Sequence, residues 1–302
     1  MKKEIWNESN ILDQTDKVFI VTGPTSGLGK ETSIVLARKN ATVIMAARDL
    51  KKAESVKKEI LNENKNAKID IQELDLCSLE SINSFTETIN KKYKALDVLI
   101  NNAGIMACPH SKTKDGFEIQ MGTNHLGHFA LTGLLLPLIK KTENSRIVNI
   151  SSIAHKSGNI DFEDLNWEKR KYKPWGAYGD SKLANLYFTY ELSRKLKLNK
   201  GNPKVLAAHP GWTTTELQRH SGGANFMNIF FGQKVKVGAL GGLRAATDSN
   251  AQSDDYYGSP SFGEMKGHPV LLKSNALSYN KDNAKKLWQL SEELTGVSYA
   301  ID

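Results

Sequence analysis

Across 302 residues the sequence spends only two cysteines, Cys77 and Cys108. Neither sits in a stretch with disulfide-scaffold character, so a disulfide framework is excluded and a reducing compartment is expected. Also missing is any run approaching the ~20 consecutive apolar residues that span a bilayer. Residues 1–7 hold no apolar stretch of the signal-peptide kind. These absences predict a cytoplasmic chain with no transmembrane segment. Basic runs interleaved with aromatics are absent as well. The net charge is +8, but its lysines are scattered through amphipathic stretches such as 50–64, which reads as a solvated surface and predicts no nucleic-acid partner. No linker or composition shift divides the chain. We therefore expect one domain over residues 17–302, preceded by a polar extension, 1–16, anchored by Trp6.

What the sequence does contain is a regular alternation of short β-rich runs and amphipathic stretches. Strands are predicted over 17–22, 41–46, 68–74, 96–100, 145–150 and 204–208. Helices are predicted over 30–39, 50–64, 78–93, 115–141 (broken near Thr123) and 177–198. This order implies an α/β fold of the single-domain Rossmann type, a doubly wound parallel sheet with helices on both faces. A further amphipathic helix over 282–294, with Trp288, would pack on the body or on a neighbouring subunit.

The first strand breaks into Gly23-Pro24-Thr25-Ser26-Gly27-Leu28-Gly29 and a helix follows. Glycines there let the backbone approach a phosphate, and free N–H groups at the helix start bind its charge. A glycine-rich turn can also be only a turn. A nucleotide-hydrolysing P-loop would need glycine at position 24 and Ser or Thr at position 31; Pro24 and Glu31 exclude it. Nineteen residues after Gly29, the second strand ends at Ala47 and Arg48. NAD-binding folds usually place a carboxylate near this point, whereas an arginine attracts a 2′-phosphate. We therefore expect NADP(H) to be favoured over NAD(H), although Asp49 is close.

Tyr178 and Lys182 stand four apart, one turn from each other on one helix side. An ammonium beside a phenol favours the ionised phenol, whose unperturbed pKa of ~10 is high for proton exchange at neutral pH. By itself the pair is common on amphipathic helices. It acquires meaning from what precedes it.

The motifs resemble the short-chain dehydrogenase/reductase superfamily over nearly the whole chain from Lys17. Thr22-Gly23-x-x-x-Gly27-x-Gly29 looks like its cofactor turn, in which Thr25, Ser26 and Leu28 also face the dinucleotide. Asp75-Leu76 matches the position that binds the adenine ring. Asn101-Asn102-Ala103-Gly104 matches its Asn-Asn-Ala-Gly element. Asn124, Ser152, Tyr178 and Lys182 match its catalytic tetrad. Pro210-Gly211-Trp212-Thr213 resembles the segment holding the nicotinamide end. Ala46-Ala47-Arg48-Asp49, Asn124-His125-Leu126-Gly127-His128-Phe129 and Ser151-Ser152-Ile153-Ala154-His155 look like the retinol dehydrogenase and WW-domain oxidoreductase branch. No WW domain is present, and residues 1–7 offer no hydrophobic anchor, so neither property carries over.

The resemblance implies an enzyme interconverting a small-molecule carbonyl and alcohol by hydride transfer. Ser152 would donate to the carbonyl oxygen and Tyr178 would exchange the proton. Lys182 would lower the phenol pKa and bind the nicotinamide ribose, and Asn124 would hold a water linking Lys182 to solvent. Ser152 and Tyr178 are twenty-six residues apart, longer than the common family spacing. The insertion, 155–176, with Trp167, Tyr172 and Trp175, would border the substrate pocket or form a surface flap. Residues 212–237, with Gly222, Gly223, Phe226, Met227, Phe230 and Phe231, would form an apolar substrate loop, favouring a lipophilic substrate. His125 and His128 lack an apparent third partner, so no metal is expected, and Cys108 is expected to be inert. A homodimer or homotetramer is left open. A non-catalytic dinucleotide-binding regulator or scaffold, and a carbon–carbon double-bond reductase on the same fold, remain as alternatives.

Overall fold

The computed structural model describes residues 5–198, 203–213 and 232–301. Its strands are β1 Val18–Thr22, β2 Thr42–Ala47, β3 Lys68–Glu73, β4 Val98–Asn101, β5 Arg146–Ile150, β6 Lys204–Ala208, β7 Tyr256–Gly258 and β8 Val270–Leu272. They form one sheet in the order β3-β2-β1-β4-β5-β6-β7-β8. All neighbours pair in parallel except β7 and β8. Such a sheet is buried on both faces, which is why residues 18–21, 43–47 and 98–100 read as unbroken apolar runs.

Two helical layers supply the cover. On one face, α1 Gly27–Arg38 and α2 Leu50–Glu63 pack with β1 and β2 through Val35, Leu36, Val56 and Ile60. On the other face lies α3 Leu79–Lys92, followed by the short α4 Ile119–Met121, then α5 Gly127–Lys140 and α6 Pro174–Leu198. Phe85, Phe129, Leu135 and Phe188 form that core. No described helix is long and apolar enough to cross a membrane. The result is a single Rossmann-like fold, as the alternation implied.

Three departures from the expected elements have physical reasons. First, α6 begins at Pro174, ahead of residue 177; proline suits the first helical position, where no N–H is needed. Second, the break near Thr123 is a π-helical turn over Gly122–Leu126. Glycines at both ends let it pack closely on neighbouring segments, since a Cβ on Gly122 would lie 2.5 Å from Thr113 Cγ2 and one on Gly127 2.6 Å from the Leu76 carbonyl oxygen. Third, β7, β8 and α7 Val235–Thr247 were not anticipated. Glycines at 238, 241 and 242 disguise α7 as a loop, yet they let it pack closely; a Cβ on Gly242 would lie 3.1 Å from Ile150 Cδ1 in β5 and one on Gly238 2.2 Å from Thr213 Oγ1. The expected loop over 212–237 thus ends inside α7, and its residues 214–231 lie outside the described residues.

The polar extension is tied down. Trp6 and Ile11 are buried, the Trp6 carbonyl meets the His268 ring at 3.0 Å, and the Arg244 guanidinium lies 5.9 Å from the Trp6 ring. The last helix, α8 Lys281–Thr295, turns Leu287 and Trp288 inward and packs on the body rather than standing free for a neighbour.

Candidate active site

The carboxyl ends of the parallel strands open into a cavity of about 430 Å³. Its floor begins where β1 breaks at Gly23. Gly23 and Gly27 have φ of +64° and +51°, backbone that side chains with a Cβ adopt rarely. A Cβ on Gly29 would lie 2.2 Å from the Gly23 carbonyl oxygen and 2.5 Å from Asn102 Nδ2. The glycine turn is therefore wound against itself and against the Asn102 side chain. Ser26, at the N-cap of α1, makes no side-chain cap, so the first N–H groups of that helix remain available to an anion.

Thr25, Ser26, Leu28 and the three glycines line this cavity. On its β2–β3 side stand Arg48, Asp49, Lys52, Asp75, Leu76 and Cys77. On the β5–β6 side stand Ser151, Tyr178, Lys182 and Pro210, with Asn102, Ala103 and Gly104 between. Gly211, Thr213, Asn124 and Ser152 lie outside its wall. Thr213 donates to the Pro210 carbonyl at 2.7 Å, and Gly211 (φ +65°) is pressed against the Met265 carbonyl, 2.4 Å from where a Cβ would be. These two shape the Pro210 turn from behind. A floor of free helix N–H groups with two cations at one end fits a dinucleotide phosphate set.

Asp49 deserves its place in the electrostatics. Its carboxylate accepts from the Lys52 N–H at 3.0 Å as the cap of α2. The acid is thereby engaged at the helix start, while Arg48 and Lys52 bring two cations to the cavity. Lys52 escaped sequence reading; its signal was its position four residues after Arg48, across a capping aspartate. Asp75 accepts from the Cys77 N–H at 3.0 Å, and Cys77 Sγ lies 3.1 Å from Thr123 Oγ1.

Tyr178 and Lys182 are both buried, at 4% and 3% exposure. The Lys182 Nζ lies 5.7 Å from the Tyr178 ring centroid and donates to the Ile150 carbonyl at 3.1 Å. Ser151 donates to the Lys182 carbonyl at 2.8 Å, tying β5 to α6. Ser152 caps the 3-10 turn Ile153–Ser157, and its hydroxyl hydrogen-bonds the Tyr178 phenol. Asn124, in the π turn, accepts from the Ile105 N–H at 2.9 Å and donates to Ser181 Oγ at 2.9 Å. Gly104 must be small here: its Cβ would sit 3.2 Å from Asn124 Oδ1 and 3.4 Å from Lys182 Nζ. Of the four residues picked out in sequence, Asn124 is thus tied through Ser181 to the Tyr178–Lys182 turn, and Ser152 meets Tyr178.

Burial pushes the Tyr178 phenol up to about 12, with the Ser152 hydrogen bond pulling the other way. Burial also lowers Lys182, to about 8.

The family model described as short chain dehydrogenase matches residues 17–224. The chain belongs to that family. "Retinol dehydrogenase 13" of Mus musculus is 48% identical over 94% of this chain and 85% of its own. "Retinol dehydrogenase 12" of Mus musculus is 41% identical over 94% of this chain and 87% of its own. A solved structure of an uncharacterised protein from Mycobacterium Paratuberculosis superposes with a TM-score of 0.84, at 39% identity over 98% of this chain and 99% of that one. A short chain dehydrogenase from Shigella flexneri 2a, complexed with NADP, superposes with a TM-score of 0.63, at 25% identity over 80% and 95%. This chain is accordingly an oxidoreductase that binds NAD(P).

In this dehydrogenase the insertion between Ser152 and Tyr178 is held by a buried carboxylate. Glu118 accepts from the Gln120 and Met121 N–H groups at 2.9 and 2.7 Å and from the Tyr172 hydroxyl at 2.9 Å. Burial raises the Glu118 carboxyl. Gln120 reaches back, donating to the Tyr172 hydroxyl at 2.8 Å and the Pro174 carbonyl at 2.9 Å. Trp167 is buried under the Arg170 guanidinium, 3.6 Å from its ring. Trp175 is 46% exposed and meets the Tyr178 ring edge-on at 6.1 Å. Met106 and Ala107 pack on Tyr178 from the other direction. Part of the insertion therefore stands beside Tyr178. His125 and His128 do not point to a shared ligand: His125 meets Ser291 Oγ at 2.8 Å and His128 meets Thr22 Oγ1 at 3.0 Å. Cys108 Sγ points to the Met106 carbonyl at 3.6 Å.

Proposed function

We propose that this dehydrogenase reduces a lipophilic aldehyde or ketone to its alcohol, with NADPH preferred over NADH. The observation that carries the reading is one cavity bringing Arg48 and Lys52 together with Tyr178 and Lys182. The names of the retinol dehydrogenase relatives are in keeping with a carbonyl/alcohol pair on an apolar molecule. Apolar Met106 and half-exposed Trp175 beside Tyr178 support the lipophilic preference. The two cysteines form no disulfide, which suits the reducing cytoplasm in which we place the enzyme.

The dinucleotide supplies the hydride when bound; everything else falls to the chain. Ser152 is placed to donate to a carbonyl oxygen and to stabilise negative charge as it develops there. With its phenol held up at about 12, Tyr178 keeps its proton at neutral pH and can give it to that oxygen. Lys182, charged below about 8, would support the phenolate left behind and, as the family resemblance implies, would hold the ribose side of the cofactor. Asn124 holds the Ser181 turn between Tyr178 and Lys182.

Consumption of NADPH and NADH against aliphatic, aromatic and retinoid aldehydes and ketones tests the reading. Arg48→Asp is expected to raise KM for NADPH by about tenfold or more while leaving KM for NADH within about threefold, because one phosphate ion pair becomes a repulsion. Equal effects on the two cofactors would refute the preference. The pH dependence of reduction follows from Lys182. Burial lowers its pKa, so its charge is present below about 8 and is lost above it. The kcat/KM for reduction should therefore fall as pH rises through about 8. A profile flat to pH 10 would show that the Lys182 charge is not required.

A further inference from the structure

Behind the catalytic residues lies a buried histidine whose every bond can be assigned. His128 is 2% exposed, in the first turn of α5. Its Nδ1 lies 3.0 Å from the Asn124 main-chain carbonyl oxygen, and its Nε2 lies 3.0 Å from Thr22 Oγ1. A carbonyl can only accept, so Nδ1 carries the proton. Thr22 Oγ1 already accepts from the Asn102 and Ala103 N–H groups, both at 2.9 Å. Its single hydrogen then goes to His128 Nε2, which is closer than the alternative Ile100 carbonyl at 3.4 Å. Only the neutral Nδ1–H tautomer satisfies all four bonds. Burial holds the imidazolium off, down to about 4, and the Lys182 charge acts in the same direction.

The chain of bonds continues on both sides. Thr22 fixes the Asn102–Ala103 backbone, which floors the cofactor cavity. Asn124 donates through its side chain to Ser181, and Ser181 donates to the Tyr178 carbonyl at 2.8 Å. The π turn is where this connection is made, and a widened turn frees a carbonyl for a side-chain donor. A histidine donating to the carbonyl four residues earlier is therefore a feature of this helix break.

We infer that His128 is a positioning residue that clamps the Asn124 carbonyl to the cofactor floor through Thr22, and so sets the Tyr178–Lys182 turn relative to the bound dinucleotide. The inference rests on the proposed reading of the site. It predicts a loss in kcat rather than in cofactor affinity, since Thr22 retains Ile100 as an acceptor when the imidazole is gone. His128→Leu should lower kcat for carbonyl reduction by about 10–100-fold, the scale of an ångström-sized misplacement. Its Kd for NADPH, read by fluorescence quenching, should change by less than about threefold. His128→Asn places an amide N–H where Nδ1–H stood but leaves Thr22 without its Nε2 partner, and should restore part of kcat. His125→Leu is the control: it removes an equally buried histidine from the same segment, bonded to Ser291, and should leave kcat within about threefold.

The clamp is overturned if His125→Leu and His128→Leu lose kcat equally, if His128→Asn is no better than His128→Leu, or if His128→Leu turns over like wild type. Should the leucine variant fail to fold, the wild-type chain still decides. In protein with 15N-labelled histidine, His128 should hold the Nδ1–H form from pH 5 to 8, with or without NADP⁺; an Nε2–H or protonated ring there overturns the clamp. A wild-type chain that reduces no carbonyl with either cofactor would sink the functional reading, while the tautomer would still report on the clamp by itself.

Discussion

Tyr178→Phe is expected to lower kcat for carbonyl reduction by about 10²–10⁴-fold, the usual worth of a positioned general acid. The phenol is the group that holds a proton over the cavity, and its pKa of about 12 keeps that proton in place at neutral pH. Ser152 can still polarise a carbonyl but, as the hydrogen-bond partner of that phenol, would have no proton source behind it. Phenylalanine fills the same buried space against Met106 and Ala107, so the fold and the cofactor site should survive. The Kd for NADPH should stay within about threefold of wild type, since the ring remains and Lys182 keeps its bond to Ile150. Turnover and binding would then separate cleanly. A Tyr178→Phe enzyme with wild-type kcat would remove the tyrosine from the mechanism.

The second large effect is on stability, and acid should reveal it. His125, His128 and His209 are buried, with burial lowering them to about 3, 4 and 3. Folded-state pKa values below the unfolded value of about 6.5 mean that the unfolded chain binds protons first. The stability these neutral rings lend is intact above about 6.5 and is lost as pH falls toward 4. At pH 5 each ring costs about 2 kcal/mol relative to pH 7, so the three cost about 6 kcal/mol, comparable to the whole stability of a typical domain. Glu118 and Asp180, which burial raises, oppose this in part at the acid end. Urea unfolding at pH 7, 6 and 5 should show a falling midpoint, with an uptake of nearly three protons on unfolding near pH 5.5. A midpoint that holds constant over this range would contradict the neutral assignments, the His128 tautomer included.

Much of this was legible in the sequence because the relevant physics is local. The central strands β1 and β2 are apolar on both faces, so they announce themselves as nearly uninterrupted runs. The glycine turn is legible because only glycine tolerates the φ of Gly23 and the crowding at Gly29. Tyr178 and Lys182 share a helix side by spacing alone. What escaped reading depends on contacts distant in sequence. Helix α7 was hidden by glycines whose reason, the approach of Thr213 and Ile150, exists only in three dimensions. Lys52 enters the cavity through the capping of α2, and Glu118 is significant only once Tyr172, fifty-four residues on, closes over it. Burial, too, is a tertiary quantity. That is why the rise of the Tyr178 phenol, which burial causes, could not be read from the spacing of Tyr178 and Lys182.

The most direct test of the account follows the hydride itself. The chain would be given NADPH carrying deuterium at the transferring position of the nicotinamide, with a long-chain unsaturated aldehyde, and the product analysed for position of label. The account predicts deuterium on the carbinol carbon of an alcohol, formed by wild type and not by Tyr178→Phe. Label on a former double-bond carbon, or cofactor binding with no labelled product from any carbonyl offered, would contradict it.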